Sequence, residues 1–133
     1  VLQSTGPDGV GDIALSFVRV LATGVVETLL FTGITMGATS LTDRKAVAAA
    51  AIILLFLLSI SMTDIFASIG APDGVRAFAP TLLGLELAPR IHGEPTLIMD
   101  GVPSVTLWLA WAAWTVGGFA LARNRLHHLP VTR

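Results

Sequence analysis

The chain has 133 residues, of which only 13% are Asp, Glu, Lys or Arg, against roughly 25% in typical soluble chains, while 53% are apolar and the mean hydropathy is +0.79. A soluble domain of this size leaves too much surface in water for so few charges to cover, so the composition predicts a membrane protein. The net charge of −1 excludes an overall basic field for nucleic acid, and the absence of cysteine excludes disulfides, thiolate zinc sites, iron–sulfur clusters and a cysteine nucleophile.

The first predicted span covers residues 18–42. From Val20 to Thr42 it is apolar except for Glu27, with Arg19 just before it. Thr23, Thr28, Thr32, Thr35 and Thr39 do not argue against a helix, because a threonine hydroxyl can bond back to the preceding turn. Gly33 and Gly37 form a G-x-x-x-G, a spacing that lets a second helix approach closely, and are the candidate helix-packing residues. A short basic turn, Asp43-Arg44-Lys45, leads to the second predicted span at 44–69. Ala46 to Met62 is seventeen residues without a charge. Continued to Ile69 the stretch holds twenty-four residues, about 36 Å of helix against a hydrocarbon core of ~30 Å. Thr42 or Asp43 is expected to cap its start, and Gly70, Pro72 and Gly74 to end it.

Residues 73–100 do not read as an ordinary polar loop. Ala77 to Leu85 is nearly all apolar but too short to cross a bilayer, and Pro80, Pro89, Pro95 and Pro103 divide the region. The pattern predicts two short helices, near Val75–Ala88 and Thr96–Asp100, lying on the membrane surface or dipping into it; a small apolar cap over the helix ends is the plainer alternative. The last predicted span, 104–123, starts behind Pro103 and runs uncharged to Ala122, where Arg123, Asn124 and Arg125 stop it. Trp108, Trp111 and Trp114 fall on one arc of this helix, a spacing that favours packing over a ligand cage. The fold class predicted is therefore an all-α membrane protein with three transmembrane helices and a short re-entrant or interfacial segment between the second and third.

Charge sets the expected orientation. The 43–45 turn carries +1, the tail after the last span +3, and the region from Asp64 to Pro103 −3, with Asp8 and Asp12 preceding the first span. Basic loops stay in the cytoplasm, so the N-terminus is expected outside and the C-terminus inside. Glu27, about 12 Å into its helix, must meet water or a partner, which makes it a candidate transport or coupling group; a hydrogen bond to a neighbouring helix or a shallower position would serve equally. Asp64, nearer the outer end, is a second candidate, and Arg19 reads as an interfacial snorkeler. His92, His127 and His128 lie outside the spans, where they cannot ligate a membrane haem. The lone lysine follows Arg44, so there is no phosphate-binding G-x-x-x-x-G-K-[ST], and no other catalytic motif occurs. The chain is not expected to be an enzyme or to hold a cofactor or metal.

Three stretches carry a family resemblance: Gly37-Ala-Thr-Ser-Leu-Thr-Asp-Arg-Lys45 with Ala46–Leu58, then Leu82-Leu-Gly-Leu-Glu-Leu-Ala-Pro-Arg-Ile-His-Gly-Glu94, then Leu107–Leu121 ending in Ala122-Arg-Asn-Arg125. Over roughly Ile13 to Leu126 the order of features resembles the C-terminal half of type-two ATP-binding-cassette (ABC) exporter permeases. The match is one of architecture and local flavour. It implies a multi-pass protein of the plasma or inner membrane whose three spans are the fourth, fifth and sixth of six. These would pair with a second permease half or a second copy. ATP and Mg would be bound by a partner ATPase subunit. The resemblance places Arg44 and Lys45 on the cytoplasmic side as candidate partner contacts. It makes Leu82, Leu83, Leu85 and Glu86 a candidate outer gate.

A complete permease of this kind is about twice as long, and the chain starts at Val1, so a fragment, a trimmed chain or a split protein is expected under this reading. The competing reading is a small three-span accessory or anchor subunit of a membrane enzyme complex, such as a respiratory one.

Overall fold

The computed structural model describes residues 9–129. Four α-helices and one 3-10 segment make up about four-fifths of them, and no strand occurs among the described residues. Helix α1 runs Val10–Ser40, α2 Lys45–Ser68, the 3-10 segment Asp73–Phe78, α3 Pro80–His92 and α4 Ser104–His127. Among the described residues α1, α2 and α4 are long and apolar enough to cross a membrane, with mean hydropathies of 1.8, 2.5 and 1.5. Ile53, Leu54, Leu57 and Leu58 of α2 all stand more than half exposed. So long an exposed apolar face is stable only against an apolar medium, and the protein is a multi-pass membrane protein.

The first helix starts eight residues earlier than expected, at Val10, where Asp12 in the first turn complements the helix dipole. The start of α2 also differs. Neither Thr42 nor Asp43 caps it: Arg44 occupies the N-cap position, Thr42 Oγ1 accepts the Arg44 N–H within the turn at 3.2 Å, and Asp43 pairs with Arg125 of α4. The end of α2 follows expectation. Gly70, with φ of +83°, takes the left-handed position, and the Ala71 N–H bonds the Phe66 carbonyl at 3.0 Å.

The connecting region departs from the two expected short helices. A single helix over Val75–Ala88 is interrupted because Pro80 holds Ala79 extended (φ −87°, ψ 111°); the 3-10 segment ends there and Pro80 opens α3 at its first turn. Thr96–Asp100 is not helical; it is a turn tied by Thr96 Oγ1 to Asp100 Oδ1 at 2.7 Å and by contacts from α3 described below.

Helices α1 and α4 run parallel and touch along their length. Gly33 lies against Thr115 and Gly37 against Gly118: a Cβ on Gly33 would stand 2.9 Å from the Thr115 carbonyl oxygen, and one on Gly37 2.9 Å from Gly118 Cα. The Trp111 indole N–H donates to the Val26 carbonyl at 2.9 Å, one end of the same seam. Helix α2 runs antiparallel beside α1, where Phe31 and Phe56 meet with ring centroids 5.7 Å apart. The buried core joins Leu30 and Ile34 of α1 to Leu83 and Leu87 of α3, Met99 and Val102 of the following turn, and Leu107 of α4. The large buried apolar side chains thus gather at the cap end, where the 69–103 connection sits, while toward the 41–44 turn α1 and α4 meet backbone to backbone.

Candidate functional site

The cap is built on one buried carboxylate. Glu86 of α3 is wholly inaccessible, and its two oxygens accept the backbone N–H groups of Leu97 (3.2 Å), Ile98 and Met99. Two guanidinium groups grip the same turn from its carbonyl side. Arg76 donates to the Ile98 carbonyl at 3.2 Å, and Arg90 to the Met99 carbonyl at 2.8 Å and to Ser104 Oγ at 3.0 Å. Burial alone pushes the Glu86 carboxyl up; the Met99, Ile98 and Leu97 N–H bonds and the Arg90 charge outweigh it and hold the carboxyl below its ordinary value. The result is an ionised clasp joining α3, the 96–100 turn and the first turn of α4.

A second tie fixes the far end of α3. Gly93 (φ +74°) ends the helix, and the Glu94 N–H bonds the Pro89 carbonyl at 2.8 Å. Arg19 of α1 donates to the His92 carbonyl at 2.9 Å, and Thr23 Oγ1 lies 3.3 Å from His92 Nε2. Arg19 therefore acts on the electronegative end of a helix rather than solely as a snorkeling charge.

Glu27 stands one turn further along α1, half-exposed, on a crevice of about 380 Å³ shared with Leu85, Pro89, His92 and Glu94. Among the described residues it has no ion-pair partner. Glu86 and Leu83 point into the cap core and Leu82 packs at its margin, whereas Leu85 is exposed and faces the Glu27 crevice. The four gate candidates thus divide between a buried clasp and a crevice wall. Asp64 is exposed on α2 away from both, and Arg44 and Lys45 are exposed at the opposite end of the bundle. Gly33 and Gly37 occupy the α1–α4 seam.

Arg76, Arg90 and the 97–99 amides escaped the sequence reading. One signal was present: Glu86 and Arg90 are four residues apart, the spacing at which a carboxylate and a guanidinium share a helix face. Among the described residues no three His, Cys, Asp or Glu side chains converge as a metal site requires. Charged groups are gathered at the cap, where they tie α3 to the 96–100 turn, to α4 and to α1.

No family model, curated protein or solved structure matches the chain.

Proposed function

We propose that the chain forms half of the membrane path of an ABC exporter permease, driven by a partner ATPase and completed by a second permease half or a second copy. One observation supports this reading above the others: the connection between α2 and α4 folds back between the long helices. Phe78, itself largely exposed, shares a hollow with Thr63 and Ser59, five and nine residues from the end of α2, about 8–14 Å along the helix. From there α3 returns beside α1, with Gly84 near Phe31 and His92 at Thr23. A hairpin of that depth, clasped by Glu86, suits a re-entrant outer gate. The basic turn and tail favour a cytoplasmic 41–44 end and an external cap.

The deciding experiment is purification of the full-length protein from its native membrane followed by reconstitution. A copurifying nucleotide-binding subunit whose ATPase activity depends on this chain is the expected result. Copurification with redox or other enzyme subunits, and no ATPase, would instead establish the accessory-subunit alternative. Cysteine labelling at Arg133 is expected only after permeabilisation of cells; labelling from outside intact cells would invert the orientation. Glu27→Gln is expected to lower transport about tenfold, ~1.4 kcal/mol in the rate-limiting barrier, while membrane insertion is unchanged. The motivation is a carboxylate on the crevice beside the hairpin. Equal transport by wild-type and variant proteoliposomes would remove Glu27 from the path.

A further inference from the structure

Helices α2 and α4 diverge: no Cα of one lies within 8 Å of the other among the described residues. The wedge between them, floored by α1, is a cleft of about 700 Å³. Its walls are apolar, with Ile34, Leu41, Leu55, Trp114 and Leu121 around Gly117. Along α4 it extends from Ala113 to Asn124, eleven residues or about 16 Å, half the ~30 Å hydrocarbon thickness. At the 41–44 end it meets a smaller hollow of about 270 Å³ that shares Leu41, Leu121 and Asn124 and adds Ser40, Arg125 and His128. The mouth is therefore polar and basic, while the slot behind it is apolar and one leaflet deep.

Charge at this end is lopsided. Arg44, Lys45, Arg123 and Arg125 face a single acid, Asp43, which pairs with Arg125. Asp43 is 89% exposed, so the pair is weak and can give way to a stronger anion. The His128 ring nitrogen Nδ1 is engaged with the Asn124 carbonyl at 2.8 Å, which leaves Nε2 for another partner.

We propose that this cleft is a binding site for an anionic phospholipid, with one acyl chain in the slot and the phosphate at Arg125, Asn124 and His128. The slot is open along its side and about half a bilayer deep, which matches the reach of one acyl chain entering from the surrounding lipid. The basic mouth selects the headgroup, as basic pockets between membrane helices do for anionic lipids. This inference rests on immersion of the three helices in a bilayer and does not depend on the exporter reading.

Trp114 in the slot wall provides the readout. The full-length protein is reconstituted in phosphatidylcholine vesicles containing a minor fraction of phosphatidylglycerol, with bromine on the acyl chains of one lipid or the other. Brominated phosphatidylglycerol is expected to quench tryptophan roughly fivefold more per mole than brominated phosphatidylcholine, the scale of one basic side chain at an anionic surface. Trp114→Phe and Arg125→Gln are expected to erase that preference. Gly117→Leu should erase it too, since its side chain enters open space and fills the slot. Asp43→Asn, which removes the same ion pair but keeps the cation, is expected to retain or raise the preference. Equal quenching by the two lipids in wild type, or a preference untouched by Arg125→Gln and Gly117→Leu, would overturn the proposal. So would its abolition by millimolar inorganic phosphate, the mark of a free-anion site, or a dimer that Gly117→Leu converts to monomer, the mark of a second copy in the cleft.

Discussion

Gly118→Ala is expected to lower the unfolding midpoint of the detergent-solubilised protein by 5 °C or more, and Gly118→Leu to prevent recovery of a monodisperse protein. A Cβ at this position would overlap the carbonyl carbon and oxygen of Gly33, which are backbone atoms and cannot rotate aside. Relief requires α1 and α4 to separate, which loosens the Gly37–Gly118 contact and stretches the Trp111–Val26 hydrogen bond. Overpacking of this kind costs about 1–3 kcal/mol for a single added carbon and more for a larger side chain. Gly117→Ala, one residue along, is the control. Its Cβ meets nothing within 4 Å, and replacing a helical glycine with alanine is neutral or stabilising by up to ~1 kcal/mol. The pair separates close helix approach from any general effect of glycine loss on the helix. Identical midpoints for Gly118→Ala and wild type would mean that the two helices do not meet at this seam.

Glu86→Leu is expected to destabilise the protein by about 3–5 kcal/mol, read as a fall in midpoint and as rapid hydrogen exchange at the amides of 97–99. The substitution strips the acceptors from three backbone N–H groups and leaves the Arg90 guanidinium without its nearby carboxylate. Glu86→Gln retains one acceptor oxygen and should fall between wild type and Glu86→Leu. The pH dependence has a definite sign. The folded-state carboxyl is held below its ordinary value of 4.5, so its stabilisation is complete above that value and is lost as the pH falls through the lower folded one. Wild type should therefore lose stability in strong acid along a slope that Glu86→Gln lacks. Parallel acid profiles for the two proteins would show that the carboxylate is not the clasp.

These two positions differ in how far the sequence reveals them. The close-packing role of Gly33 and Gly37 was legible from spacing, because small residues four apart on an apolar helix leave a flat strip. Their partner strip, Thr115 and Gly118, was not, since nothing local says which face of α4 turns toward α1. Thr115 itself ends with its hydroxyl buried and unpartnered among the described residues. Glu86 entered the sequence reading only as one of four gate candidates implied by the family resemblance, and its role depends on amides eleven to thirteen residues away in a turn that reads locally as a short helix. The Ala79 break was foreseeable from Pro80 alone. The early start of α1 was not, because Asp12 reads equally as a loop acid and as a first-turn helix acid.

Three apolar runs, uncharged apart from Glu27 in the first, determine the membrane class, the helix count and most of the helix ends from the linear order of residues alone. Inside a bilayer a backbone must satisfy its own hydrogen bonds, and a helix does so within one segment, so local sequence is sufficient. Rotation of each helix about its axis, the fold-back of the connection and the divergence of α2 from α4 were decided only in three dimensions. Apolar residues all round a helix leave no favoured face; the seam, the clasp and the cleft arise where backbones fit, between groups up to 85 residues apart.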